Sequence, residues 1–430
     1  MKTNCAMPKQ SSNYCRPWLG AVITMLFVGC GGGNSGTNGA APSAMVPAPA
    51  ATVPSAVPAA VLPTPAAAET MQPLAPLSLS LSTRAQTLAT SNVLAFAIKA
   101  DGSLWAWGNA TMGEFGDGER ISRSPDPIRI GAGFKSVATG SMQNTIAVKT
   151  DGTLWAWGQT HAYELGTGPQ NYFPVQIGTG FTAVSAGMDN YAIKADGSLW
   201  AWGRYLGNRE GALGDGTTVD RLFPVQIGVD FVSVSAKGGG GGVGVKRDGS
   251  VWAWGPNRFG TVGDGTRIDR LAPVQIGTGF VAASAGCYHV AALKSDGTLW
   301  TWGNGGYGQL GNNSTRDVIQ GTPLQVGTGF LSISTGCTVT FGIRADGVVW
   351  AWGGMAAGQL GDGVINAPGG AKGTPSRLPG AFTNIGAGLA HTLAVKVDGS
   401  LWEWGNVIGM KASEEQYPIG YPRQIAVGFK

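Results

Sequence analysis

Acid–base, metal or thiol chemistry in this 430-residue chain would have to come from few side chains: three histidines and five cysteines. His289 and His391 each stand seven residues before an Asp-Gly pair, where other copies of the same phrase hold Asn144, Asp189, Gly241 and Val339. A recurring position at the head of a strand suits a hydrogen-bonded structural group. The functional alternative is a partial polar ring of Asn144, Asp189, His289 and His391 at a channel mouth. His161 stands alone in a loop and reads as solvated. Gly-Asp-Gly loops at Asp117, Asp215, Asp264 and Asp362 raise Ca²⁺ ligation, but they lack the closely spaced carboxylates of a calcium loop, so they read as turns. No Gly-x-Ser-x-Gly elbow, phosphate loop or Cys/His metal spacing is present. The run Gly238–Gly242 reads as an eroded strand start, not a phosphate cradle. The expectation is a non-enzymatic protein with no catalytic residues, no metal and no cofactor.

The cysteines divide by position. Residues 1–16 carry Lys2, Lys9 and Arg16, and an apolar run follows from Pro17 to Gly29, too short to span a bilayer and of the length of a signal-peptide core. It ends Leu26-Phe27-Val28-Gly29-Cys30, which resembles a bacterial lipobox with Phe27 in a place where Leu is more usual. Residues 1–29 are therefore expected to be a lipoprotein signal peptide and Cys30 the lipid attachment site. Gly31 after it resembles the outer-membrane sorting pattern, which implies a cell-envelope location, periplasmic or surface-facing. Residues 30–84 hold nine of the 24 prolines and only Glu69 and Arg84 as charges, so they are expected to be a disordered spacer. Without residues 1–29 the chain has 26 basic and 25 acidic side chains, a net of +1 that excludes a nucleic-acid footprint. Cys287 and Cys337 occupy one position in neighbouring copies. Export would permit a disulfide, but equivalent points of adjacent repeats are often too far apart, and two buried thiols are the expected state.

The elements that position everything else repeat seven times. Asp-Gly, a short side chain, Leu or Val, Trp, any residue, Trp-Gly begins at Asp101, Asp151, Asp196, Asp248, Asp296, Asp346 and Asp398, at intervals of 50, 45, 52, 48, 50 and 52 residues. Such a period marks a repeat architecture. Around each phrase lie four short β segments. In one copy they are 272–276, 280–285, 289–294 and 298–302, with the Asp296-Gly297 hairpin before the last. Four antiparallel strands per unit read as a propeller blade. Fourteen of the 15 tryptophans fill the two Trp positions. Being two apart they share one face of the sheet, so they read as inter-blade packing. Residues 424–430 match 129–135 in phase, and 86–108 supply what is missing after them. Seven blades should then close into a ring with N- and C-terminal strands in one blade, over residues 85–430.

The segments Lys294-Ser295-Asp296-Gly297-Thr298-Leu299-Trp300-Thr301-Trp302-Gly303 and Gly308-Gln309-Leu310-Gly311 resemble the regulator of chromosome condensation repeat, as does Leu213–Arg221. The resemblance spans 86–430 and implies an all-β, seven-bladed β-propeller. The family's eukaryotic founder is a nucleotide-exchange factor for the GTPase Ran that acts through a projecting wedge. Intervals of 45 to 52 leave little room for one, and an export signal separates the chain from a cytosolic GTPase. A fold of this kind does not name its function.

Any binding site is therefore expected where the copies disagree, in the loops after each Trp-Gly. Met112, Tyr163, Tyr205, Phe259 and Tyr307 are the candidate contacts, because aromatic side chains anchor interfaces well. The expected partner is a protein, with a cell-wall glycan as the alternative. The membrane is contacted through the lipid only, nucleic acid is excluded, and the protein is a monomer.

Overall fold

The computed structural model describes residues 87–429 apart from 92–93, 141–143, 160–170, 204–207, 209, 317, 366–369 and 407–418. The described elements are all β-strands. They form seven four-stranded antiparallel blades, over residues 88–131, 134–178, 181–228, 231–277, 280–327, 330–381 and 382–426. Blades 6 and 7 share one continuous strand, Ala371–Ala387, whose first part is the outer strand of blade 6 and whose last part is the inner strand of blade 7. Inner strands contact in succession around the ring, and Leu88–Thr90 of blade 1 returns to the shared strand, so the propeller closes.

Two indoles per blade do different work. The second Trp of each pair is sealed between blades, with Trp107, Trp157, Trp202, Trp254, Trp302, Trp352 and Trp404 all at most 1% exposed. Four of their Nε1–H groups donate to a carbonyl of the preceding blade: Trp157 to Glu114 at 2.7 Å, Trp302 to Thr261, Trp352 to Gln309 and Trp404 to Gln359, whereas Trp202 Nε1 has no partner among the described residues. In blade 4, Trp254 donates instead to the Tyr191 hydroxyl, which passes the bond on to the Ala212 carbonyl. The first Trp is half-buried and closes the Asp-Gly turn. Asp101 Oδ1 accepts from the Ser103 amide and hydroxyl, and Trp105 Nε1 donates to that same hydroxyl at 2.9 Å. The Gly102 φ of +78° is what makes the turn need glycine.

Above each first Trp lies a cation. Lys99, Lys149, Lys194, Lys246, Lys294, Arg344 and Lys396 sit 3.6 to 4.5 Å from its ring centroid. Each also approaches the Phe that begins the inner strand, as Lys149 does Phe134 at 5.1 Å. The Phe amide donates to the Gly carbonyl of the preceding blade's Asp-Gly turn in all seven copies.

The seventh of these Phe residues is Phe429. It bridges Lys99 antiparallel, lies 5.0 Å beneath that ammonium, and donates to the Gly399 carbonyl. The inner strand of blade 1 is thus made from both ends of the chain, Phe429 followed in space by Leu88–Thr90, as the repeat phase required. The join falls where the other inner strands carry a bulge after their Phe, the one point where the ladder is already interrupted. This seam also holds an interaction found in no other described interface: Trp107 donates to Glu403 Oε2, and Arg423 pairs with Glu403 Oε1 at 2.7 Å.

Cys287 and Cys337 form a disulfide, with Cα atoms 4.5 Å apart. This overturns the expectation of two thiols. The two residues lie just past the ends of the inner strands of blades 5 and 6, where adjacent blades converge on the axis. Equivalent positions near the rim would be too distant.

Two predictions follow from the repeat geometry. Removing residues 416–430 deletes the outer strand of blade 7 and Phe429 together, and should open the ring; Phe429→Ala alone should cost about 3 kcal/mol in denaturant unfolding. In blade 6, Val348 stands where other copies hold Ser or Thr, and Trp350 Nε1 is buried without a partner. Val348→Thr should supply the missing hydroxyl and raise stability by about 1 kcal/mol, read as a higher denaturation midpoint at an unchanged m-value.

Candidate interaction face

The loops from inner to second strand and those after each Trp-Gly emerge on one face; the Asp-Gly turns lie on the other. An axial cavity of about 360 Å³ is lined by residues of the seven inner strands. Its walls are small hydroxyl-bearing and apolar side chains. Several of the hydroxyls tie blade to blade: Ser185, Ser235 and Ser284 accept from the amides of Ala236, Ala285 and Thr335.

The loops after Trp-Gly have a structural base. The amides of Gly118, Gly216, Gly265, Asn313 and Gly363 each donate to the outer strand of the following blade, at Tyr172, Leu271, Gly321, Gly373 and Gly420. The Gly-Asp-Gly carboxylates hold these loops in shape. Asp215 Oδ1 accepts from Thr217 and Oδ2 pairs with Arg221 at 2.6 Å, Asp264 does the same with Thr266 and Arg270, and Asp362 pairs with Lys372. Ser122 donates to Asp117. Protein cations and hydroxyls occupy these carboxylates, and among the described residues no three His, Cys, Asp or Glu side chains gather as a metal site.

The suggested polar ring is buried. Asn144, Asp189, His289 and His391 are at most 5% exposed. His289 Nε2 bonds the Thr340 hydroxyl of the next blade at 2.8 Å, and Asn144 donates to Asn190. Burial lowers His289 to about 3 and His391 to about 4, so both are neutral structural groups.

Three buried ionisable groups have shifted titrations: Asp189, anticipated only as part of the polar ring, and Lys237 and Glu403, which the sequence reading did not single out. Asp189, in blade 3, has one oxygen without a partner, and its carboxyl is raised to about 7 by burial, against the Gly241 amide, with Asp220 nearby. Lys237, in blade 4, donates to the Trp254 carbonyl at 2.8 Å, and burial lowers it to about 7, opposed by Asp264 and Asp269. Glu403 at the seam is raised by burial despite Arg423.

Of the candidate contacts, Tyr163 and Tyr205, like Cys30, lie outside the described residues. Met112 is half-buried, its amide held by Glu114 Oε2 and its sulfur 3.7 Å from Arg120. Tyr307 is exposed, its amide fixed by Gln309 Oε1. Phe259 is half-buried and packs on Tyr288 of the next blade, ring centroids 4.8 Å apart. Tyr288 itself was missed. It lies in a different class of loop from the candidates, and its exposure at 41% is visible only once the blades are assembled.

Family models for the regulator of chromosome condensation (RCC1) repeat match residues 196–240, 248–293 and 296–343, and a second model of that repeat matches 280–309. Residues 196–343 thus match RCC1 repeats. Several solved structures share the fold. Prp20p from Saccharomyces cerevisiae superposes with a TM-score of 0.66 at 19% identity, covering 80% of this chain and 87% of that one. Yeast RCC1 (Prp20) in its complex with Kap60 gives 0.66 at 20%, covering 85% and 91%. Human WBSCR16 gives 0.61 at 18%, covering 72% and 85%. At these identities the likeness is one of fold. Comparison with curated protein sequences finds no match.

Asp189 and Lys237 give the propeller an unusual pH response. Asp189 has its folded-state pKa raised from 3.8 to about 7. The native state therefore holds that proton more tightly, and the stability it brings below the unfolded value is lost as pH rises toward 7. Lys237 is lowered from 10.5 to about 7, so the stability it brings above 10.5 is lost as pH falls toward 7. Both contributions are weakest near neutrality. Asp189→Asn should flatten the fall in unfolding free energy between about pH 4 and 7, and Lys237→Met the rise above it, both measured by urea titration across pH.

Proposed function

We propose that this RCC1-repeat propeller is a non-enzymatic protein-binding module, held at the cell envelope by a lipid on Cys30 and a spacer over residues 30–84. The observation that carries the binding reading is the split between repeated and unrepeated residues. Indoles, Asp-Gly turns, His289, His391 and cavity hydroxyls are consumed by packing within and between blades. Exposed aromatic side chains outside the repeated inter-blade packing, Tyr288 and Tyr307, lie on the face with the variable loops. The yeast propeller Prp20p has been described with its binding to Gsp1p and histones, and its complex with Kap60 is known; a protein ligand here is in keeping with that use of the fold. Guanine-nucleotide exchange is not part of the reading, because the blade intervals leave little room for a projecting wedge. The second reading, a cell-wall glycan, is favoured by the same exposed tyrosines, since their rings also stack on sugars. The lipid anchor and outer-membrane placement rest on the residues around Cys30.

Capture from an envelope extract on the purified propeller, run beside a glycan array, separates the two readings. The protein reading expects a specific polypeptide whose capture weakens in Phe259→Ala and Tyr307→Ala at unchanged melting temperature. A blank capture with a positive array would overturn it. Radiolabelled palmitate should enter the full chain and be lost in Cys30→Ser; equal labelling of the two would remove the anchor.

A further inference from the structure

Blades 4 and 5 depart from the repeat together. Eight residues before the Asp-Gly pair, where blades 6 and 7 hold Thr338 and Ala390, blade 5 holds Tyr288. The loop facing it in blade 4 is the glycine run that begins at Gly238. A Cβ at Gly239 would stand 2.8 Å from Tyr288 Cε1 and 2.7 Å from the Cys287 carbonyl oxygen, and one at Gly238 would stand 2.8 Å from Cys287 Sγ. The glycines thus let the backbone lie flush against Tyr288 and the disulfide. On the other side Phe259 packs on Tyr288, and the Arg258 guanidinium lies 4.5 Å from the Phe259 centroid. The result is a cation–aromatic–aromatic cluster, its two rings tilted 57° to one another, on a floor without side chains and tethered through Cys287 to blade 6.

Among the described residues no other blade repeats this cluster, so the ring packing does not call for it. Arg258 is exposed and has no ion-pair partner among the described residues, and Arg267 of the same loop is exposed as well. A guanidinium lying on an aromatic face keeps its edge N–H groups free for a carboxylate. The adjoining tyrosine ring offers apolar area that loses little entropy on contact, since its loop is already fixed.

We infer that the Arg258–Phe259–Tyr288 cluster is a docking site for an acidic polypeptide segment, in which an Asp or Glu next to an aromatic or aliphatic residue pairs with Arg258 while its neighbour covers Tyr288. This rests on the protein-binding reading and names the chemistry of its partner. The test is selection of a phage-displayed random peptide library on the full chain, followed by titration of the winning synthetic peptide. The selected sequences should pair an acidic with an apolar residue. Their affinity should fall at least tenfold in Tyr288→Ala and in Arg258→Glu at unchanged melting temperature, and decline with salt. Replacing the peptide's acidic residue by Lys should restore binding to Arg258→Glu. Selected peptides without acidic residues, affinity indifferent to both substitutions, or no selection at all would overturn the inference. If Arg258→Glu still captures the same envelope polypeptide as the unmodified chain, this site fails while the protein-binding reading stands; if the unmodified chain captures none, the broader reading fails.

Discussion

One buried indole per blade boundary is the contact on which the propeller depends. It fills the wedge between two sheets with a large flat group, and its single N–H must find an acceptor because burial removes water. At four boundaries the acceptor is a backbone carbonyl in the preceding blade's loop, so the indole fixes that loop as well as the sheet. At two further boundaries the bond is rerouted and kept, while Trp202 finds no acceptor among the described residues. Tyr191 relays it in blade 4, and Glu403 accepts it at the seam. The seam version leaves a carboxylate out of water, which Arg423 then offsets. A buried pair of this kind adds little net stability, but a mispaired seam would strand a charge, so it specifies which two blades meet.

What recurs every 45 to 52 residues was legible in the chain. The Trp pairs, the Asp-Gly hairpins and the phase that places Phe429 in blade 1 each appear many times, and repetition separates them from chance. The Lys or Arg two residues before each Asp carried the same signal, and its place above the first Trp could have been read from it. Distances across the ring were not legible. Cys287 and Cys337 share a repeat position, but only radial placement decides whether such positions meet. Near the axis they do.

The candidate site was half legible for a similar reason. Phe259 and Tyr307 stand in loops whose variability is visible by aligning the copies. Those loops also clamp the next blade, a role carried by main-chain amides that a side-chain alignment does not reveal. Tyr288 belongs to another loop class and joins Phe259 only across a blade boundary. The glycine run beside it looks like loss of side chains in sequence. In space it is a close approach that side chains would forbid.

The inner strand of blade 1, shared by the two ends of the chain, has a kinetic consequence. Six of the seven boundaries join segments about one repeat apart and can form as each blade is finished. The seventh joins Trp107 to Glu403 across 296 residues. Its chain-closure entropy is met only once, and it cannot begin to be met until the last strand is available. Folding should therefore resemble a zipper that ends in one slow, long-range step. Before that step the chain is an open arc with two bare sheet faces, and after it the same contacts form one cooperative unit.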